Sequence, residues 1–144
     1  MTALKLNREF FLRHLGVAIL FFGMSCWFGY DGYVAYPQHD DEWFETRHLR
    51  KDNAIQRQKE FMILAFLAAL AVGGHLLAVS RLRFSFDDEG FVFNGKRTAF
   101  GDVKDVDRSK WEKKGIVKVD GITLDAWHHV GVREFEKRLA ACGK

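Results

Sequence analysis

The chain has 144 residues, with 22 Lys or Arg against 19 Asp or Glu and a formal net charge of +3; it has room for one modest folded unit plus membrane segments, and a large multidomain enzyme is excluded. The basic excess is mild, 14 bases against 11 acids over residues 81–144, which argues against a nucleic-acid partner. Two cysteines, Cys26 and Cys142, lack the CxxC or Cys/His spacing of a zinc site, and the 14 Phe and four Trp suit lipid-facing helices and a small sheet core equally well.

Residues 1–14 carry Lys5, Arg8 and Arg13 against Glu9, directly before an apolar run from Leu15 to Tyr30. A retained helix is favoured over a cleaved secretory signal. The stretch Gly23-Met24-Ser25-Cys26 has glycine where a lipoprotein cleavage box wants an aliphatic residue, and no small-x-small site follows. The first helix is expected from Leu15 to about Tyr36, ended by Pro37, the only proline. Asp31 interrupts it near its outer end among Trp27, Tyr30, Tyr33 and Tyr36, a setting that reads as an interfacial carboxylate within an aromatic belt.

Residues 37–60 form a polar connection with six acids and five bases. Asp40 or Asp41 can cap a helix that runs on into the second span. His39, Asp40, Asp41 and His48 have ligand chemistry but nothing in the sequence gives them a metal geometry, so a solvated loop and helix is preferred.

Phe61–Ser80 is an uninterrupted stretch of twenty residues without formal charge, enough at about 1.5 Å per residue to cross a hydrocarbon core of about 30 Å. Bases flank it on both sides. Lys5, Arg8 and Arg13 therefore set the orientation: a hairpin in the cell (inner) membrane, with both termini cytoplasmic and the short loop outside. Ala65, Ala69 and Gly73 form a small-residue ladder, and Gly16 with Gly23 forms a matching stripe on the first helix. Two readings stay open: the helices pack on each other, or the ladder receives another protein. His75 is the second polar residue inside the span. With the helix ends aligned it lies about 13 Å from the depth of Asp31, and His14 is offset from it by about 9 Å, which disfavours a proton relay and a haem ligated by two histidines.

From Leu82 the hydrophobic period changes to two. Strands are expected at Leu82–Phe86, Phe91–Phe93, Lys96–Phe100, Val103–Trp111, Ile116–Val119 and Ile122–Trp127, with Asn94-Gly95 and Asp120-Gly121 as tight turns. A closing amphipathic helix runs from about Val132 to Cys142, with Val132, Phe135, Leu139 and Cys142 on its apolar face. The expected fold is thus α+β: a transmembrane hairpin over residues 1–80, then a small antiparallel sheet or partial barrel over 81–144. Asp125-Ala126-Trp127-His128-His129 has acid and base groups, but adjacent histidines on a strand point to opposite faces, so no catalytic, cofactor or metal residue is assigned.

The Asp88-Glu89-Gly90-Phe91 turn, Phe100-Gly101-Asp102-Val103 leading to Val106, the Trp111–Gly115 turn, Ile122-Thr123-Leu124-Asp125 and the closing helix together resemble the bacterial PH-like domains of small membrane proteins. The resemblance covers about residues 81–142 and implies a binding or scaffolding module, with no activity attached. The stretch is short for a seven-stranded barrel, and it has no counterpart of the basic pocket with which eukaryotic PH domains hold phosphoinositides.

The expected role is a non-enzymatic membrane scaffold or accessory subunit that contacts other membrane proteins or further copies of itself. The alternative is a module that senses lipid headgroups. Its contact residues would be Arg108, Lys110, Trp111, Lys113, Lys114 and Lys118, gathered on one hairpin where each base near an anionic surface is worth about 1 kcal/mol. Asp105, Asp107 and Glu112 oppose them. A redox or metal-dependent membrane subunit using His75 or His128 and His129 is the distant third.

Overall fold

Two apolar blocks become two long helices in the computed structural model, which describes residues 1–143. The first runs as α1 (Arg8–Tyr30), a wide π turn (Asp31–Ala35) and a last short turn α2 (Tyr36–Gln38). It starts seven residues before the expected Leu15 because Asn7 caps it: Asn7 Oδ1 accepts the Glu9 N–H at 3.0 Å. Arg8 and Arg13 of the basic flank are therefore helical, whereas Lys5 lies in a short strand. Pro37 does not end the helix either. In an α-helix its ring would meet the Tyr33 carbonyl, and the π turn just ahead, closed by the Tyr36 N–H onto Asp31 O, relieves that clash.

A short helix α3 (Asp41–Glu45) follows, capped by Asp40, and α4 spans Lys51–Ser80. A helix capped at Asp40 and running on into the second span is the expectation; the cap is there, but the helix stops at Glu45 and restarts at Lys51, ten residues before the apolar run at Phe61. Both helical runs, Arg8–Gln38 and Lys51–Ser80, are long and apolar enough to cross a membrane.

The chain divides into two units, Met1–Leu12 with everything from Leu77 onward, and Arg13–Leu76. In the helical unit Ser25 Oγ donates to Met62 O at 3.0 Å and the Phe28 and Phe61 rings lie 5.5 Å apart. A Cβ on Gly32 would stand 3.2 Å from Gln58 Cβ, and Phe44 is buried beneath Tyr36 and Trp43 in the loop.

In the other unit β1 (Thr2–Ala3) pairs with β3 (Phe84–Phe86), which pairs with β4 (Gly90–Phe93) and on to β5 (Lys96–Ala99). A second sheet joins β6 (Val106–Asp107), β7 (Ile116–Val119) and β8 (Ile122–Asp125), and β2 (Lys5–Leu6) pairs with β9 (His129–Val130). All pairs are antiparallel, and the sheets do not close into a barrel. Asn94-Gly95 and Asp120-Gly121 turn their hairpins with positive φ at both positions. The strand expected from Val103 to Trp111 shrinks to Val106–Asp107, and the turn expected at Trp111 is a single helical turn, α5 (Trp111–Lys114).

Helix α6 (Val132–Ala141) closes this unit with Val132, Phe135 and Leu139 fully buried. Cys142 lies past its end and is exposed, not on the core face as the periodicity suggests. Phe135 is the centre of the core, meeting Phe84 edge-on at 5.0 Å and Phe91 at 5.7 Å. Gly131 starts the helix at φ 104°, and a Cβ there would stand 3.0 Å from Leu4 Cδ2. The N-terminal segment is thereby locked into the same core.

Candidate functional site

The α5 turn is anchored at its end by Gly115, whose N–H reaches Trp111 O at 2.7 Å while its carbonyl accepts from the Ala126 N–H at 3.0 Å. That pairing sets the exposed basic turn beside the segment that follows β8. Helix α6 brings a third wall, and the three enclose an open cleft of about 590 Å³ lined by Trp111, Glu112, Lys113, Lys114, Gly115, Ala126, Trp127, Arg133, Glu136 and Lys137. The charge in it is unbalanced. Arg108 Nε donates to Glu136 Oε1 at 2.8 Å, which neutralises one of the two acids. Lys113, Lys114, Arg133 and Lys137 are exposed, and the structure gives them no ion pair with any other described residue.

Of the six residues expected to contact headgroups, the cleft gathers Trp111, Lys113 and Lys114. Arg108 is taken by Glu136. Lys118 stands opposite Asp107 in the β6–β7 register, outside the cleft, and the Ser109 side chain and N–H hold the Asp107 carboxyl below its usual pKa so that it stays charged beside that lysine. Lys110 is exposed but does not line the cleft. Trp127, Arg133 and Lys137 are residues that sequence reading does not find. Their only signal is the i,i+4 spacing of Arg133 and Lys137 on the polar face of α6, and that spacing says nothing about which surface the helix faces.

The segment after β8 is a connector. Asn7 Nδ2 donates to Trp127 O at 3.0 Å and the Asn7 N–H to His128 O at 2.8 Å, the His128 ring lies 4.4 Å from that of Phe10, and His129 Nε2 meets Val79 O at 3.1 Å. It therefore grips the start of α1 and the end of α4 together. His129 is buried, whereas His128 keeps Asp125 at 3.7 Å, so the two histidines do face different surroundings.

Within the helical unit, Trp27 Nε1 donates to Asp31 Oδ2 at 2.8 Å, with Trp27, Tyr30 and Tyr33 exposed around it. The helix register differs from the one expected. Contacts pair residue 28 with 61 and residue 32 with 58, because α4 begins at Lys51 and the loop closes ten residues earlier. Asp31 thus lies about 24 Å from His75 along the helices, farther than expected, while the His14 and His75 rings come within 6.0 Å; the expected offset of His14 is overturned. Among the described residues no three His, Cys, Asp or Glu side chains group as metal ligands. In the same register Gly16, Gly23 and Gly73 have no atom within 4 Å of a Cβ position, and the close approaches between the two helices are at Gly29 and Gly32. Ala65 is buried and Ala69 half-buried.

Comparisons with family models, with curated proteins and with solved structures found no match to this chain.

Proposed function

We propose that the chain is a two-pass integral membrane protein that holds a PH-like module at the cytoplasmic surface and acts as a scaffold or accessory subunit through protein contacts. The observation that carries the membrane reading is the bareness of the helices: only 11 % of the most apolar 18-residue window of each is buried. A core helix of a soluble protein buries its apolar side. Here Ile19, Leu20, Phe22, Ile63, Leu64, Leu67 and Leu70 are each more than half exposed. In water each of them forgoes about 1 kcal/mol or more that burial would contribute, and together that is comparable with the ~5–15 kcal/mol by which a domain is stable. Lipid or a partner helix would supply that burial.

The N-terminal strands support a hairpin with both ends on one side, and Lys5, Arg8 and Arg13 favour the cytoplasm for that side. The meander of β3 to β8 with a closing helix supports the PH-like likeness, as an open sheet pair. The test is to extract the tagged chain from its own membranes in a mild detergent and determine the mass and composition of what accompanies it. Stoichiometric partner proteins or a defined homo-oligomer support the scaffold reading. A monomer that carries only lipid overturns it, and recovery without detergent overturns the membrane reading as well.

A further inference from the structure

We propose that the cleft between α5 and α6 holds the headgroup of an anionic phospholipid, its phosphate met by Lys113, Lys114, Arg133 and Lys137. The proposal rests on the membrane reading above and adds a site to it. Two independent observations point to this occupant.

One is charge. With Glu136 engaged by Arg108, four bases face the opening against Glu112 alone. Such an imbalance is complementary to a phosphodiester, which carries one full negative charge and oxygens that accept from several N–H groups at once. The four bases come from two elements, α5 and α6, so they converge on a volume large enough for a headgroup instead of spreading along one face.

The other is level. The Trp127 carbonyl accepts from the side chain of Asn7, the residue immediately before α1, and two residues on the His129 ring is bonded to Val79, the residue before the last of α4. The segment that carries Trp127 is therefore fastened to the first residues of one long helix and the last residues of the other, the side on which both apolar spans of a membrane-crossing hairpin would emerge. Trp127 is 41 % exposed at that wall, and Trp111 lines the cleft with it. Indoles at that depth are the usual occupants of the polar-apolar boundary. A soluble acidic peptide would satisfy the charge but would have no reason to need the site fastened there.

The full-length protein in a neutral detergent is titrated with short-chain phosphatidylglycerol, with phosphatidylcholine of the same chain length and with inorganic phosphate, and bound lipid is counted by native mass spectrometry. Phosphatidylglycerol is expected to bind at least about tenfold more tightly than phosphatidylcholine, at about fivefold for each base engaged. Lys113→Gln with Lys114→Gln, and separately Arg133→Gln with Lys137→Gln, should each reduce that preference about tenfold or more. Lys96→Gln with Lys104→Gln, two exposed bases away from the cleft, should leave it unchanged. All six positions are exposed, and a matching thermal melt confirms that each variant is folded.

An undiminished preference in both cleft pairs, or an equal loss in the Lys96/Lys104 control, overturns the site. Displacement of the lipid by millimolar phosphate shows a free-anion site and overturns the lipid assignment. A chain that stays in the membrane pellet yet shows no preference for phosphatidylglycerol overturns this proposal alone; a chain recovered in the soluble fraction removes the membrane reading beneath it.

Discussion

His129 is the residue whose chemistry is most exposed to pH. A carbonyl oxygen only accepts, so the contact with Val79 O places the hydrogen on Nε2. Burial pushes the His129 pKa below its ordinary value of 6.5, while the Val79 carbonyl and the charge of Asp125 pull the other way without restoring it. The folded chain then holds this proton less tightly than the unfolded chain. The stability that His129 contributes is fully present above pH 6.5 and is lost as pH falls through the folded value. Thermal melts of the full-length protein between pH 7.5 and 5 should show a steeper decline for the wild type than for His129→Gln, which keeps a donor for Val79 but cannot titrate. Parallel profiles would show that His129 is not what couples the ends of α1 and α4 to pH.

At the scale of elements, the decisive pieces are the shortest ones. The strands β1 and β2 contribute two residues each, yet they hold Leu4 between them with its N–H on Phe84 O at 2.9 Å and its side chain against Gly131. Leu4 is 9 % exposed, so Leu4→Ala is expected to cost about 2–3 kcal/mol, the lower part of the range for buried leucines. It should show as a lower melting temperature and as faster protease cleavage after Arg81 and Arg83; unchanged cleavage would mean that the N-terminal strands do not support the sheet.

Those strands were not legible in the sequence. Two residues cannot display alternation, and their partners lie more than eighty positions away. The Asn94-Gly95 hairpin, the Ile116–Val119 and Ile122–Asp125 strands and α6 were legible because each is specified by residues adjacent in the chain. The cleft divides the same way. Lys113 and Lys114 announce themselves as a local cluster around Trp111, whereas Arg133 and Lys137 join them only because α6 packs Phe135 into the core and so turns its polar face toward α5. Helix depth failed for a related reason. The alignment of His14 with His75 depends on where the connection between the two helices folds back, and the ends of the apolar runs at Tyr36 and Phe61 do not mark that point.

At the scale of the whole molecule, strand pairing constrains topology more firmly than charge does. Residues 2–6 hydrogen-bond to strands on the far side of both long helices in sequence, so a chain that crosses a membrane must return to the side from which it started. An odd number of crossings would leave β1 and β2 without partners and Leu4 outside its core. The charge rule then only selects which side that is. The expectation is read with a membrane-impermeant maleimide on intact cells, using Cys26→Ser as background. Native Cys142, which is exposed, and a cysteine replacing the exposed Thr2 should both stay unlabelled until the membrane is permeabilised, whereas His48→Cys in the loop should label at once. The reverse pattern would keep the strand pairing and invert the orientation. Labelling of only one of Thr2→Cys and Cys142 from outside would place the two ends on opposite sides and break the pairing itself. Equal labelling of all three, together with recovery in the soluble fraction, would mean that the bare apolar faces of α1 and α4 are covered by protein.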